Sequence, residues 1–132
     1  MKVRFVCFSF FLLLQVACQQ QTYQIGQRLY QTHCANCHMD NGTGLGALIP
    51  PLAGSDYLQT HRDQLPCIIQ HGLMDTIVVN GQLYAEKMQG VKGLSEIQIT
   101  NISNYVIQTW GNKSKPFTLE EVGNTLKNCK IQ

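Results

Sequence analysis

Charged residues are scarce in this chain, and no run of apolar residues is long. Only 14% of the 132 residues are Asp, Glu, Lys or Arg, with ten basic against eight acidic side chains. The apolar run at residues 5–14 is too short for a membrane-spanning helix, which needs roughly 20 residues. Internal repeats and low-complexity segments are also absent. The sequence therefore argues against a nucleic-acid-binding protein and a helical membrane protein, and favours one small domain.

The first 17 residues have the pattern of an export signal. Lys2 and Arg4 form a basic start, the apolar run follows, and that run ends at Val16-Ala17-Cys18. This ending resembles a bacterial lipoprotein signal, in which the cysteine is lipidated and becomes the mature N-terminus. We therefore expect a lipoprotein signal peptide at residues 1–17 and lipidation of Cys18.

The place of cleavage decides where the mature protein resides. With Cys18 lipidated, residues 18–22 form a polar tether, and acyl chains hold the domain at a membrane, facing the periplasm or the cell exterior. Gln15 stands where such signals usually have an aliphatic residue, so the alternative is ordinary cleavage nearby and a soluble exported protein. Removal of Lys2 and Arg4 leaves eight basic and eight acidic residues, which argues against a nucleic-acid partner.

The most specific chemical signal is Cys34-Ala35-Asn36-Cys37-His38, a C-x-x-C-H motif. Such a motif attaches one haem c, because the thiols of Cys34 and Cys37 add across its two vinyl groups and His38 supplies an imidazole ligand to iron. A bare C-x-x-C could instead belong to a zinc site or a dithiol redox pair. The chain has no second close cysteine pair and no βαβ pattern, so covalent haem c is favoured.

Two further cysteines, Cys67 and Cys129, remain after the haem and signal cysteines are assigned. An even pair in an oxidising compartment favours a disulfide, which would tie the C-terminus to the middle of the domain. On the chain-entropy model a closed loop of about 60 residues contributes roughly 4 kcal/mol of stability. The alternative is two unrelated thiols.

Hydrophobic periodicity predicts a helix at residues 23–33 that leads into the haem motif. Gly26 lies inside this helix, where glycine is unfavourable, so we expect it to permit a close helix crossing. Residues 55–72 are expected to hold two short helices, with Pro66 opening the second. Residues 76–84 contain the turn signal Asn80-Gly81, but a poor second strand follows, so we expect a turn within a loop with at most a short extended pair.

Two capping boxes mark the helices of the C-terminal part. Ser95 and Gln98 open the clearest helix, which Gly111 is expected to stop. Thr118 and Glu121 open a last helix that is expected to run to about residue 128.

Taken together, these features resemble a class I c-type cytochrome over residues 22–112. Gly26 and Tyr30 stand eight and four residues before the haem motif, where the family has the glycine and aromatic of its N-terminal helix. Ile102 and Tyr105 match the face of the C-terminal helix that crosses it.

The fold that this resemblance implies is all-α, with helices packed around one covalently attached haem. We expect residues 23–132 to form this bacterial monohaem cytochrome c domain, with a C-terminal helical extension from about residue 113.

The resemblance also implies the sixth iron ligand. Met88 lies in a loop shortly before the C-terminal helix, as the family's methionine does, although Gln89 stands where many members have proline. Met39 adjoins the proximal ligand and is unable to reach the opposite haem face. Three other side chains remain open as alternatives: Met74, His61 and His71.

Other pocket members follow from the same resemblance. The carbonyl of Pro50 is expected to accept the free ring N–H of His38, and Leu52 is expected to press on the haem face. Tyr84 and Trp110 are expected to pack in the core or to meet the haem propionates.

Ligation by His and Met fills both axial positions of the iron, and a thioether ligand raises its reduction potential. The resemblance therefore implies a one-electron carrier, not an enzyme, that passes electrons between exported redox proteins. The alternatives are an electron-entry subunit of a larger oxidoreductase or respiratory complex, and a haem sensor or enzyme with a labile sixth ligand. Lys87 and Lys92 near Met88 are either a basic rim for an acidic partner or ordinary solvated lysines.

Overall fold

The computed structural model describes residues 21–129. The expected signal peptide at 1–17, the lipidation site Cys18, the first part of the tether and residues 130–132 lie outside the described residues. Within residues 21–129, no helix is both long enough and apolar enough to cross a membrane.

Two helices flank the haem motif along the chain. Within the described residues, helix α1 occupies residues 21–33, so Gln21 and Thr22 are helical as well as the expected residues 23–33. Helix α2, Ala35–His38, is a single turn that carries the end of the motif.

Helix α5, Glu96–Gln108, crosses α1 closely at Gly26. A Cβ atom on Gly26 would lie 2.4 Å from the carbonyl oxygen of Asn101 and 2.9 Å from Cβ of Tyr105. The expected close helix crossing is therefore confirmed. Tyr30, fully buried, stacks at a tilt on Tyr105 near the same crossing, with ring centres 5.4 Å apart.

The middle of the chain forms the expected pair of short helices. Helix α3, Asp56–Thr60, is capped by the side chain of Ser55, and a 3₁₀ turn, Arg62–Gln64, joins it to α4, Leu65–His71. Pro66 lies in the first turn of α4, and Gly72 ends this helix with φ = 90°.

Two short antiparallel strand pairs follow α4. Strand β1, Gly72–Leu73, pairs with β4, Met88–Gln89, and between them β2, Ile77–Val79, pairs with β3, Gln82–Tyr84.

The expected turn at residues 76–84 is confirmed together with its short extended pair, since the three-residue strands β2 and β3 form a hairpin. Asn80 and Gly81 both adopt positive φ, 51° and 79°, as a tight hairpin turn requires. Tyr84 is 4% exposed, so its burial stabilises the second strand, although that strand begins with the polar residue Gln82. Asp56 also exchanges hydrogen bonds with Asn80 through their side chains and backbone N–H groups, at 2.7 and 3.1 Å.

Both C-terminal capping boxes are confirmed, at Ser95 with Gln98 and at Thr118 with Glu121. The last helix, α6, spans Leu119–Lys127. Helix α5 ends at Gln108, three residues before the expected stop at Gly111.

The early end of α5 has a structural cause. Trp110 and Gly111 have φ values of 53° and 87°, so the chain leaves the helix before Gly111. The side-chain amide of Asn112 then donates a hydrogen bond to the carbonyl of Val106, at 2.9 Å, and satisfies a group that the helix end leaves free.

The C-terminal extension is fastened to the domain at several points. Helix α6 packs on α4 and α5. Cys67 of α4 and Cys129, just after α6, form a disulfide with Cα atoms 5.7 Å apart. The guanidinium of Arg62 lies 3.7 Å from the ring centre of Phe117 and donates to the carbonyls of Lys115 and Pro116, at 2.8 and 3.1 Å.

Candidate functional site

A largely apolar cavity of about 570 Å³ lies beside the C-x-x-C-H motif. The thiols of Cys34 and Cys37, the imidazoles of His33 and His38 and the thioether of Met88 are among the side chains that line it. Aliphatic side chains from α3, α4, α5 and the strands make up much of the remaining wall, among them Leu58, Leu65, Ile69, Val79, Ile102 and Val106. A pocket of this size and character suits a flat, mostly apolar cofactor with few polar anchor points.

His38 is presented to the cavity in a fixed orientation. Its backbone N–H donates to the carbonyl of Cys34, at 3.0 Å, which places it at the end of the single turn α2. Its Nδ1 lies 3.2 Å from the carbonyl oxygen of Pro50, and since a carbonyl accepts only, Nδ1 carries the proton. Burial lowers the pKa of His38, against the opposing effect of the Pro50 hydrogen bond, so the ring is neutral with Nε2 free to bind a metal.

The glycine-rich loop between residues 40 and 54 brings Pro50 to His38. The backbone N–H groups of Leu52 and Ala53 both donate to the carbonyl of Gly42, and that of Gly44 donates to the carbonyl of His38. A Cβ atom on Gly44 would lie 2.3 Å from the carbonyl oxygen of Ile49, so the loop doubles back tightly at this point. The loop therefore serves to place Pro50.

The two cysteines of the motif are not arranged as a dithiol or zinc site. Cys34 is half-buried and Cys37 exposed, and no disulfide joins them. Burial, with a smaller effect from Cys37, raises the pKa of the Cys34 thiol to about 11, whereas reactive dithiols have lowered pKa values. Within residues 21–129, no group of three or more His, Cys, Asp or Glu side chains is placed to hold a metal ion.

Met88 is the one member of the five candidate sixth ligands that lines the cavity. Met74 is 41% exposed and lies outside the lining. His61 stacks on Tyr57, with ring centres 4.1 Å apart, and His71 ends α4 away from the lining.

Met39, the remaining candidate, follows α2 with φ = 62°, and its carbonyl accepts a hydrogen bond from the hydroxyl of Tyr30 at 2.7 Å. It too lies outside the cavity lining. The structure thus brings together six of the residues singled out in the sequence: Cys34, Cys37, His38, Pro50, Leu52 and Met88.

The two large aromatic residues have separate places. Tyr84 lines the cavity, whereas Trp110 packs between Tyr30 and Tyr105, with ring centres 5.0 and 5.3 Å away. Trp110 therefore belongs to the core at the helix crossing.

The charged side chains in the cavity lining are of mixed sign. They are Asp75, Glu86 and Lys87, while Lys92 is exposed and lies outside the lining. This arrangement is not a uniformly basic rim.

Asn112 is a structural contributor to the site that the sequence analysis missed. It is 4% exposed, and its side-chain amide donates to the carbonyl of Leu52 at 2.7 Å, as well as to α5. Its side-chain oxygen accepts from the backbone N–H of Ser55 at 3.3 Å. Asn112 thereby joins the end of α5 to the cavity wall. An Asn after the glycine expected to stop the helix suggests a local cap, but the contacts that Asn112 makes across 57 and 60 residues form only in the folded chain.

Comparisons with known proteins agree with this geometry. Residues 23–110 match the family model Cytochrome c. The chain is 34% identical over 106 residues to cytochrome c-552 of Thermus thermophilus, and the alignment covers 74% of this chain and 80% of that protein.

A second group of relatives consists of subunits of larger enzymes. Over 91 residues the chain is 35% identical to the cytochrome c subunit of alcohol dehydrogenase (quinone) from Gluconacetobacter polyoxogenes, covering 67% of this chain and 19% of that subunit. The corresponding subunit of Gluconobacter oxydans is 33% identical over 93 residues. The family match spans the motif, the cavity and the helix crossing, and the chain therefore belongs to the cytochrome c family of electron carriers, which bind haem c covalently.

Proposed function

We propose that this protein is an exported, lipid-anchored carrier of single electrons, in which His38 and Met88 ligate one haem iron. One observation supports this above others. A single apolar cavity is lined by the thiols of Cys34 and Cys37, the imidazole of His38 and the thioether of Met88.

The residues around the cavity fit a haem. Cys34 and Cys37 would hold it through two thioether bonds, and Pro50 keeps the ring of His38 oriented with Nε2 as the ligating atom. Apolar walls that include Leu52 exclude water and so limit the rearrangement that accompanies a change of iron charge. The haem supplies the one-electron redox chemistry.

Met88 gives the site its expected character as a carrier. A neutral thioether favours ferrous iron and raises the reduction potential. If His38 and Met88 both ligate the iron, they would leave no open place on it for small molecules such as oxygen. This argues for electron transfer and against a catalytic or gas-sensing site.

The optical spectrum of the purified holoprotein tests the ligand assignment. We expect wild type to show the methionine–iron charge-transfer band in the oxidised form, and Met88→Ala to lose it. Met74→Ala is the matched control, because Met74 is exposed and outside the cavity lining, and it should keep the band. A band that survives in Met88→Ala, or a high-spin wild-type spectrum, would overturn the proposed ligation.

The membrane anchor rests on Cys18 at the end of the signal-like segment. We expect the mature protein to fractionate with membranes and its N-terminal peptide to carry acyl chains. Cys18→Ala should move the protein to the soluble exported fraction with its haem still attached. Equal soluble fractions for both proteins would contradict the anchor.

A second candidate function is that of an electron-entry subunit in a larger oxidoreductase. The resemblance to cytochrome c subunits of a quinone alcohol dehydrogenase favours it, although this chain matches only 19% of such a subunit. Gentle detergent extraction followed by size separation distinguishes the two. A free carrier should migrate at the size of one small domain with its micelle, whereas a subunit should comigrate with its enzyme in fixed proportion.

A further inference from the structure

Residues 88–91 lie directly on the last turn of α4. Gln89 and Met88 pair with Gly72 and Leu73 in antiparallel register, and the N–H of Val91 donates to the carbonyl of Ile69 at 2.8 Å. The backbone from Met88 to Val91 is therefore attached to the end of α4 and to the short strand that follows it.

Two glycines make this close approach possible. A Cβ atom on Gly90 would lie 2.4 Å from the carbonyl oxygen of Gln70 and 2.5 Å from the carbonyl carbon of His71. A Cβ atom on Gly72 would lie 2.3 Å from the carbonyl oxygen of Met88. Distances below 3 Å to backbone atoms force one partner to move, because a peptide group has no flexible end that can turn away.

Of the two partners, the strand is the more able to move. Helix α4 buries Leu65 and Ile69 in the core and is tied to the C-terminal extension through Cys67. The opposing segment has exposed side chains at Glu86, Lys87 and Gln89. A side chain at position 90 would thus displace the strand, and Met88 with it, and would leave α4 in place.

We propose that Gly90 is a positioning residue for the sixth iron ligand: by lacking a side chain, it lets α4 hold the Met88 strand against the haem cavity. This inference rests on the proposed ligation by Met88. Unlike Gly72, which has φ = 90°, Gly90 does not adopt positive φ, so space alone requires glycine there.

The variant Gly90→Ala, prepared as holoprotein, tests the inference against a matched control. Gly123→Ala is that control, since Gly123 also lacks positive φ and its nearest neighbour is the mobile carboxylate end of Glu96, at 3.1 Å. The readouts are the methionine–iron band and the affinity of the ferric protein for imidazole, which competes with Met88 for the iron.

We expect Gly90→Ala to weaken the methionine–iron band and to bind imidazole at least about fivefold more tightly, which is the usual size of coupling between two sites in a protein. Gly123→Ala should keep the wild-type band and the wild-type imidazole affinity. A merely structural role would lower the melting temperature without changing imidazole affinity. Wild-type imidazole affinity in Gly90→Ala would overturn this inference alone. Absence of the band from wild type would instead overturn the ligation by Met88 on which it rests.

Hydrogen exchange on the wild-type holoprotein gives a second test that needs no variant to fold. Because coupling is reciprocal, displacing Met88 with imidazole should loosen the strand from α4. We expect exchange at the N–H of Val91 to rise by about fivefold or more, with the N–H of Val122 in α6, which donates to the carbonyl of Thr118, as an unchanged internal reference. Unchanged exchange at Val91 would contradict the proposal.

Discussion

Nδ1 of His38 lies 3.2 Å from the carbonyl oxygen of Pro50, twelve residues further along the chain. This contact joins the haem motif to the glycine-rich loop and sets both the tautomer and the orientation of the imidazole. The orientation of the residue proposed to ligate the iron therefore depends on how a neighbouring loop is folded.

Gly44→Ala should disturb this arrangement. A Cβ atom there would lie 2.3 Å from the carbonyl oxygen of Ile49 and 2.6 Å from that of Pro50, at a φ of 69°. We expect a loss of about 2–3 kcal/mol in the free energy of unfolding, measured by denaturant titration of the holoprotein.

Gly46→Ala is the control for Gly44→Ala. Gly46 has a similar φ of 54°, but a Cβ atom there has no neighbour within 4 Å. It should therefore show only the backbone strain, about 1 kcal/mol. Equal losses in the two variants would contradict the account of a tightly doubled loop.

The disulfide between Cys67 and Cys129 should be detectable as missing thiols. Denatured, unreduced mature holoprotein should give no free thiol, since Cys34 and Cys37 are expected to hold haem and Cys18 to carry lipid. Replacing both Cys67 and Cys129 with serine should lower the free energy of unfolding by about 2–5 kcal/mol, because it releases a 62-residue loop. Two labelled thiols in the denatured, unreduced protein would contradict the bridge.

Glu121 should make the C-terminal helix sensitive to acid. The backbone N–H of Thr118 donates to its carboxylate at 2.7 Å, and this bond, helped by the charge of Arg62, lowers the pKa of Glu121 below its ordinary 4.5. A lowered folded pKa gives stability that is complete above pH 4.5 and is lost as pH falls through the folded value.

Melting temperature measured against pH checks this prediction for Glu121. Glu121→Gln should melt below wild type at pH 7 and should converge with it as pH falls below the folded pKa of Glu121, where the carboxyl is protonated. Glu120→Gln, at the exposed neighbouring position, should follow the wild-type curve. A constant gap between Glu121→Gln and wild type at all pH values would argue against the charged capping interaction.

The features that the sequence predicted well are those governed by neighbours along the chain. The capping boxes at Ser95 and Thr118 need only residues three positions away, and the C-x-x-C-H motif has its two thiols and its imidazole within five residues. The close helix crossing at Gly26 could also be predicted, because glycine is unfavourable inside a helix unless another backbone packs closely against it.

The features that were missed depend on contacts made by folding. Strand β3, which the sequence indicated only as part of a short extended pair, becomes favourable when Tyr84 is buried and Asp56 bonds Asn80 across 24 residues. The side chains of Asn112 and Arg62 donate hydrogen bonds to backbone carbonyls more than 50 residues away, which no local sequence pattern indicates. Likewise, the choice between Met88 and the other candidate ligands became clearer once the cavity lining was known.

Mass spectrometry of the exported protein tests the central claim most directly. The account predicts one haem adduct on the peptide that contains residues 34–38, attached through both Cys34 and Cys37 and retained after denaturation. A polypeptide without a porphyrin adduct, or with both of these cysteines free for alkylation, would contradict it.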